Sequence, residues 1–385
     1  MKIAKQIMAL VAFTIVATPL IAAEDDIKAL GQFQGILEGI NQHRFTNVKS
    51  SIDKRELTAC VSRGRVIDPQ VLQILDENFW TLIEAVFTGG MPNADNDSVG
   101  ELVQFTFQGG AGLAVVRYAL PKYKYAYQAF ELRHDSRGRL KIVDWLDYGL
   151  GQTFCQRLGD EMITIMPSKA ATRKLLAAEN PSDLQLFQVT EILKASRDKQ
   201  PERFFEIYDD LDEHLRREEP IAKFAVVMAV TIKDDERFQT TMDIFVDIFS
   251  NDIDYALKLS DYFLATRKYE DAYASLQKFD GHFDVKEGTT PARLSALALA
   301  LGKADDAEKY AVEATNDEPT LELGWWSLLR ARVAANNFQG ALVALTSLED
   351  NFDLRLDEAK LRRDKFRGFT KLVESQEFKD WRAGR

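Results

Sequence analysis

Tyr269-Glu270-Asp271-Ala272, Ala304-Asp305-Asp306-Ala307 and Phe338-Gln339-Gly340-Ala341 are three versions of one phrase, their alanines 35 and 34 residues apart. Four residues after each alanine stand Leu276, Ala311 and Leu345, and three further on stand Phe279, Ala314 and Leu348. Each phrase therefore opens a helix with a single apolar stripe. Twelve residues before each alanine come Ser260, Ser295 and Leu329, preceded by Leu259, Leu294 and Leu328. This predicts antiparallel helix pairs, in which small side chains let two backbones approach and large ones fill the space beside the crossing.

These positions resemble the tetratricopeptide-repeat (TPR) family, whose period is about 34 residues. The bulky opening position of that family holds Trp325 in the third unit and Ala256 and Pro291 in the first two, and its closing proline occurs once, as Pro319. The match is firmest over residues 253–354. It implies hairpins stacked into an all-α solenoid with a concave surface built from the first helix of each unit. With units starting at Ile253, Gly288 and Glu322, the resemblance places Asp254, Leu257, Asp261 and Leu264 in that groove. Thr289, Ala292, Ala296 and Leu299 follow, then Leu323, Trp326, Arg330 and Val333. One branch of the family grips a C-terminal carboxylate with several Lys, Arg and Asn residues at these positions, and Arg330 alone is of that kind here. An apolar partner segment held by Leu257, Asp261, Leu264, Trp326, Arg330 and Val333 is the expectation, Trp and Arg being frequent binding hot spots. A plain core role for Trp326, beside Trp325, is the alternative. Residues 180–250 carry further apolar helical stripes, read as degenerate hairpins of the same stack. Residues 253–385 are read as repeats closed by a capping helix between Phe369 and Trp381.

Residues 24–165 have another texture. Ile27, Leu30, Phe33, Ile36, Leu37 and Ile40 recur at helical spacing, and Asp68-Pro69 opens a second helix bearing Leu72, Leu75, Phe79, Leu82, Ile83 and Val86. Four stretches rich in β-branched and aromatic residues follow, Leu102–Phe107, Leu113–Leu120, Tyr123–Arg133 and Arg139–Tyr148, separated by glycine, proline and Asp-Ser turns. Helices followed by an antiparallel meander resemble the nuclear-transport-factor-2-like or cystatin-like α+β roll, in which helices cover a curved sheet. The resemblance implies a pocket, for which His134, Asp144 and Asp147 are the candidate polar groups and Tyr125, Tyr127 and Trp145 the candidate walls. Solvated carboxylates near a strand end are the plainer reading of the two aspartates.

Met1–Ala23 has the layout of a cleaved secretory signal: Lys2 and Lys5, an apolar run from Ile7 to Ile21, then Ala22-Ala23 before Glu24-Asp25-Asp26. A periplasmic or secreted protein without an integral membrane span is expected. In that setting Cys60 and Cys155 either form a bridge or are two separately buried thiols. Neither has the neighbouring base or C-x-x-C partner of a catalytic cysteine.

With 49 Lys+Arg against 60 Asp+Glu and no basic stripe interleaved with aromatics, nucleic-acid binding is not expected. The 46% hydrophobic content excludes disorder for most of the chain. No nucleotide-binding, zinc-protease or serine-hydrolase motif is present. His43, His134, His214 and His282 are too scattered for a zinc site. Asn93–Ser98 lacks the glycine and glutamate of a calcium loop, so no metal and no cofactor is expected. The sum is an exported, non-catalytic adaptor binding a protein or peptide partner of the bacterial envelope. A pocket-bearing roll served by the solenoid, acting as an enzyme or a small-molecule binder, is the alternative.

Overall fold

The computed structural model describes residues 24–87, 99–120, 124–176, 181–282 and 286–384. The signal segment Met1–Ala23 and the acidic turn Asn93–Ser98 lie outside them. Helices α1 (Glu24–Asn41), α2 (Phe45–Lys49), α3 (Lys54–Ser62) and α4 (Pro69–Ala85) precede strands β1 (Gly100–Gln108), β2 (Ala111–Leu120), β3 (Lys124–His134), β4 (Leu140–Asp147) and β5 (Gln152–Thr153). The Asp68 side chain accepts the Gln70 N–H and Pro69 occupies the first turn of α4, so the cap read from the sequence is in place. The strands form one antiparallel meander in the order β1-β2-β3-β4-β5. Alternation along them decides everything that follows. Ala114, Val116, Phe130, Leu132 and Trp145 face the helices, while Val115, Tyr127 and Ala129 belong to the apolar core of the C-terminal half.

Helices α5 (Phe154–Ile165) and α6 (Lys169–Leu175) close this layer. Cys155 in the first turn of α5 is bridged to Cys60 in α3, with the Cα atoms 5.7 Å apart. The bridge closes a loop across 95 residues of sequence.

The rest is helical: α7 (Asp183–Arg197), α8 (Pro201–Asp209), α9 (Glu213–Arg216), α10 (Glu219–Ile232), α11 (Asp235–Phe249), α12 (Ala256–Ala265), α13 (Tyr269–Asp280), α14 (Thr289–Ala300), α15 (Ala304–Asp317), α16 (Glu322–Ala334), α17 (Phe338–Phe352), α18 (Glu358–Arg363), α19 (Gly368–Glu374) and α20 (Gln376–Ala383). The backbone itself records the repeat. Left-handed residues end the first helix of five hairpins, at Lys199, Lys233, Arg267, Gly302 and Asn336, spaced 34, 34, 35 and 34 apart. At four of them the next N–H reaches back to a carbonyl in the last turn, Gln200 to Ala195, Lys268 to Phe263, Lys303 to Ala298 and Asn337 to Arg332, at 2.8–2.9 Å. Hairpins α7–α8, α10–α11, α12–α13, α14–α15 and α16–α17 thus obey one rule, including the two whose side-chain pattern has decayed. The phrase alanines Ala272, Ala307 and Ala341 are all fully buried, and the Ser260 hydroxyl donates to the Ala272 carbonyl at 3.0 Å, closing the helix crossing. Helices α19 and α20 form the terminal cap, where the Trp381 indole donates to Thr346 at 3.1 Å. The C-terminal half is a TPR-like helical solenoid.

The outer face of the sheet is seated on the edge of this solenoid. Arg117, pointing outward from β2 and only 4% exposed, makes a bidentate pair with Glu318 at 2.6 and 2.7 Å. It also donates to Thr289 at 2.6 Å and Glu287 at 3.1 Å, and pairs with Glu101 of β1. Burial alone would lower the Arg117 pKa, but the hydrogen bonds and charge of Glu318 outweigh it and hold the cation firmly charged. Around it Tyr127 meets Phe279 at 5.2 Å and reaches the Thr290 hydroxyl, and Tyr148 meets Phe279 at 5.3 Å. The β4–β5 turn passes so close to Tyr255 that a side chain at Gly151, whose φ is +71°, would overlap the ring.

Arg117→Ala leaves the carboxylates of Glu287 and Glu318 without their cation at a largely buried junction, with the exposed Glu101 beside them. It should cost about 3–5 kcal/mol in denaturant unfolding monitored by circular dichroism. Removing the disulfide as Cys60→Ala, Cys155→Ala should cost about 4–5 kcal/mol in the same measurement, the loop-entropy value for a closure of this length.

Candidate functional site

The groove positions inferred from the sequence divide into two rows. The second and fifth positions of the first two units are covered. Leu257 is 1% exposed and belongs to the apolar cluster that also holds Val115, Tyr127 and Tyr148 of the sheet layer. Thr289 and Ala292 are fully buried, Thr289 under Arg117. Asp254 lies in the short turn before α12, half-buried, and burial together with Asp252 pushes its carboxyl up to about 6. Assignment of Leu257 to the partner groove is therefore corrected: the sheet layer occupies that rim of the solenoid. Val333 is corrected as well, being 2% exposed where Gly368 at the start of α19 comes against it.

The other row is open. Asp261 and Ala296 are exposed, Leu264 is 43% exposed and Leu299 half-buried. Asp261 pairs with Arg293 of the next hairpin, neutralising that part of the rim. Continuing the row by one period upstream of Asp261 and Leu264 arrives at Val227 and Val230 in α10, which are among the most exposed large aliphatic side chains. The α10–α11 hairpin packs on α12, with the Gln239 amide donating to the Tyr262 hydroxyl at 2.7 Å and the Lys258 ammonium over the Phe245 ring at 4.7 Å. Val227 and Val230 were missed in sequence because the apolar stripe of α10 runs nearly round the helix. The period of 34 was the signal that pointed to them.

Trp326 and Arg330 are half-buried at the junction with the cap. The Trp326 indole donates to Glu322 at 2.8 Å, and its rings lie 6.4 Å from Phe369. Arg330 stacks over Trp326 at 5.4 Å and pairs with Asp364 at 3.5 Å. These two therefore bind the chain's own cap on one side and border the open row on the other.

In the sheet layer the candidate pocket residues are not gathered. Tyr125 and Tyr127 lie on the outer face, against Arg117 and the solenoid, whereas Trp145 lies on the inner face stacked on Phe154 at 4.2 Å. Sheet alternation thus rules out the proposed walls as one cavity. His134 ends β3 beside Phe107, at 4.7 Å, and its strand partner is Leu140, three positions of register from the Glu131–Asp144 pair. Asp144 sits at the N-terminus of α5, accepting the N–H groups of Trp145 at 2.9 Å and Cys155 at 3.1 Å. Burial raises its carboxyl to about 6 against the pull of these bonds and of the Thr153 hydroxyl. Its oxygen and the sulfurs of Cys60 and Cys155 lie within 4.8 Å of one another, a spacing suited to a metal. Both sulfurs are bonded to each other, so neither is the thiolate that such a site requires. Asp147 and Trp145 do share a crevice, with Gln128 and Arg157, two residues that sequence reading passed over. A buried amide in a strand of aromatic and apolar neighbours was the available signal.

No protein-family model and no curated protein matches the sequence. Among solved structures, MamA AMB-1 is 13% identical with a TM-score of 0.34, over 48% of this chain and 100% of that one. A MamA point mutant is 12% identical with a TM-score of 0.33, over 43% and 96%. PilW, described as a widely conserved type IV pilus biogenesis factor, is 12% identical with a TM-score of 0.31, over 53% and 93%. Among the described residues no helix is long and apolar enough to cross a membrane.

Asp144 binds its proton more tightly folded than unfolded, so its contribution to stability is present below about pH 4 and is lost as the pH rises through about 6. Asp144→Asn should flatten the stability profile between pH 4 and 6 by up to about 3 kcal/mol, read by denaturant titrations across that range. A slope remains, because Asp254 and Asp280, both raised to about 6, titrate in the same window.

Proposed function

We propose that this protein is an exported, non-catalytic adaptor that holds an apolar segment of another envelope protein along the open row of its solenoid. The observation that carries this reading is the constant hairpin period, which brings Val227, Val230, Asp261, Leu264, Ala296 and Leu299 into line on successive first helices. An exposed, mainly aliphatic row of this kind buries apolar area against a partner's apolar side chains, in the helix-in-groove manner of recognition. Trp326 and Arg330 end the row, where an aromatic and a guanidinium anchor the partner's terminus of contact. The signal-like Met1–Ala23 and the Cys60–Cys155 bridge both favour an oxidising compartment, the periplasm or the exterior. The sheet layer acts as a brace, covering one rim and leaving the other to the partner.

Photo-crosslinking residues placed at Val230 and Leu264, with Val343 on a second helix as control, should capture the same partner at the first two positions and not at the third. Leu264→Asp should lower that capture about tenfold or more while changing the melting temperature far less than a core substitution would, since the side chain is 43% exposed. N-terminal sequencing of the protein recovered from the envelope should begin at Glu24; an intact Met1 would contradict the export reading.

A further inference from the structure

We propose that the cap of the solenoid, from Arg355 to Lys371, is a surface that binds the anionic headgroups of a phospholipid membrane. That stretch carries seven Lys or Arg against three Asp or Glu, in a chain where acids outnumber bases 60 to 49. The three acids within it, and Glu374 just beyond, are all engaged. Asp357 caps α18 by accepting the Lys360 N–H at 2.8 Å. Glu358 and Glu374 both hold Arg362, at 2.9 and 3.3 Å. Asp364 accepts the Phe366 N–H at 2.8 Å and pairs with Arg330 of α16 at 3.5 Å. What is left is Arg355, Arg363, Lys365, Arg367 and Lys371, all exposed and none making a side-chain hydrogen bond or ion pair among the described residues.

The fold turns these cations to solvent. Asp364 is drawn to Arg330 and the Phe366 ring packs 5.1 Å from Phe369, while Lys365 between them is exposed. Arg367 has helical dihedrals as it enters α19, so Lys371, four residues on, lies on the same side of that helix. No large apolar side chain between 344 and 384 is exposed among the described residues. A protein partner gains most of its affinity from a desolvated apolar or aromatic core ringed by polar groups, and this patch has no such core. A single strand of nucleic acid stacks its bases on open rings, whereas Phe366 and Trp381 are half-buried against Phe369 and Phe378. A headgroup surface needs only clustered positive charge, which Lys and Arg deliver without a matching groove. The acidic remainder of the chain is repelled by the same surface, so attraction confined to the cap also orients the molecule on the bilayer. The patch lies past the Trp326–Arg330 end of the open row and acts whether or not that row takes a partner.

Co-sedimentation of the intact mature protein with vesicles tests it, using phosphatidylcholine alone and phosphatidylcholine mixed with phosphatidylglycerol. Binding to the mixed vesicles only is expected, with release at about 1 M salt, where screening shortens to about 3 Å. Replacing Arg363, Lys365, Arg367 and Lys371 together by Gln should weaken that binding about tenfold or more. Replacing four exposed cations of the sheet layer, Lys28, Arg55, Arg63 and Arg137, by Gln makes the same change in net charge and should leave binding intact. All eight positions are exposed, so folding should survive, and unchanged melting profiles check this. No binding to the mixed vesicles, equal binding to phosphatidylcholine alone, or full binding by the cap variant would overturn the proposal. So would equal loss in the two variants, which would reduce the effect to net charge. Capture of soluble poly-L-glutamate without any binding to vesicles would also overturn it and assign the patch to an acidic protein.

Discussion

Arg117 is the constraint on which the architecture turns. A guanidinium removed from water must find carboxylates in good geometry or its desolvation is uncompensated. Here it finds Glu318 in a bidentate grip, with Glu287 and Thr289 beside it, all three supplied by the solenoid rather than by the sheet from which Arg117 projects. Glu318 answers in kind: burial works against its charge, but Arg117 and the Gly288 N–H hold its carboxyl below the ordinary range. Both faces of the sheet are thereby covered, the inner by α1, α4 and α5 and the outer by the hairpin edge. Neither layer presents the surface it would present alone.

That docking determines where recognition can occur. A solenoid of this kind offers a concave row of first helices, and the sheet layer takes the upper part of that row through Leu257, Thr289 and Ala292. The cap takes the end near Val333. What remains open is a continuous, mainly aliphatic strip from α10 to α14, bounded by the Trp326–Arg330 stack. The chain thus narrows its own groove, and the strip left over is short of charge because Asp261 is matched by Arg293.

Much of this was legible in the sequence, and the failures have physical causes. The β-branched and aromatic content of β1 to β4 with the turn residues between them, and the alanines of the three phrases, gave their elements because local composition, spacing and burial agreed. The two upstream hairpins were read as degenerate members of the stack without a register, since their small-residue positions had drifted; the left-handed residues at Lys199 and Lys233 put them in register with the series. Lysine at such a position carries no sequence signal comparable to Gly302. The groove residues Leu257 and Val333 failed for a different reason. Repeat position tells which side of a helix faces the concavity but not what else the chain has placed there. Arg117 was the missed clue, a lone charge in Ala-Val-Val-Arg-Tyr-Ala, where an outward arginine among apolar neighbours marks a covered face.

The seating of the sheet on the solenoid can be read directly by hydroxyl-radical footprinting with mass spectrometry. Tyr127 and Phe279 owe their burial to one another across the junction, while Phe187 on α7 stands 57% exposed. Modification of Tyr127 and Phe279 far slower than that of Phe187 in the intact protein is the predicted result. If Tyr127 is oxidised as readily as Phe187, the outer face of the sheet is free, and the division of the groove into a covered and an open row is wrong.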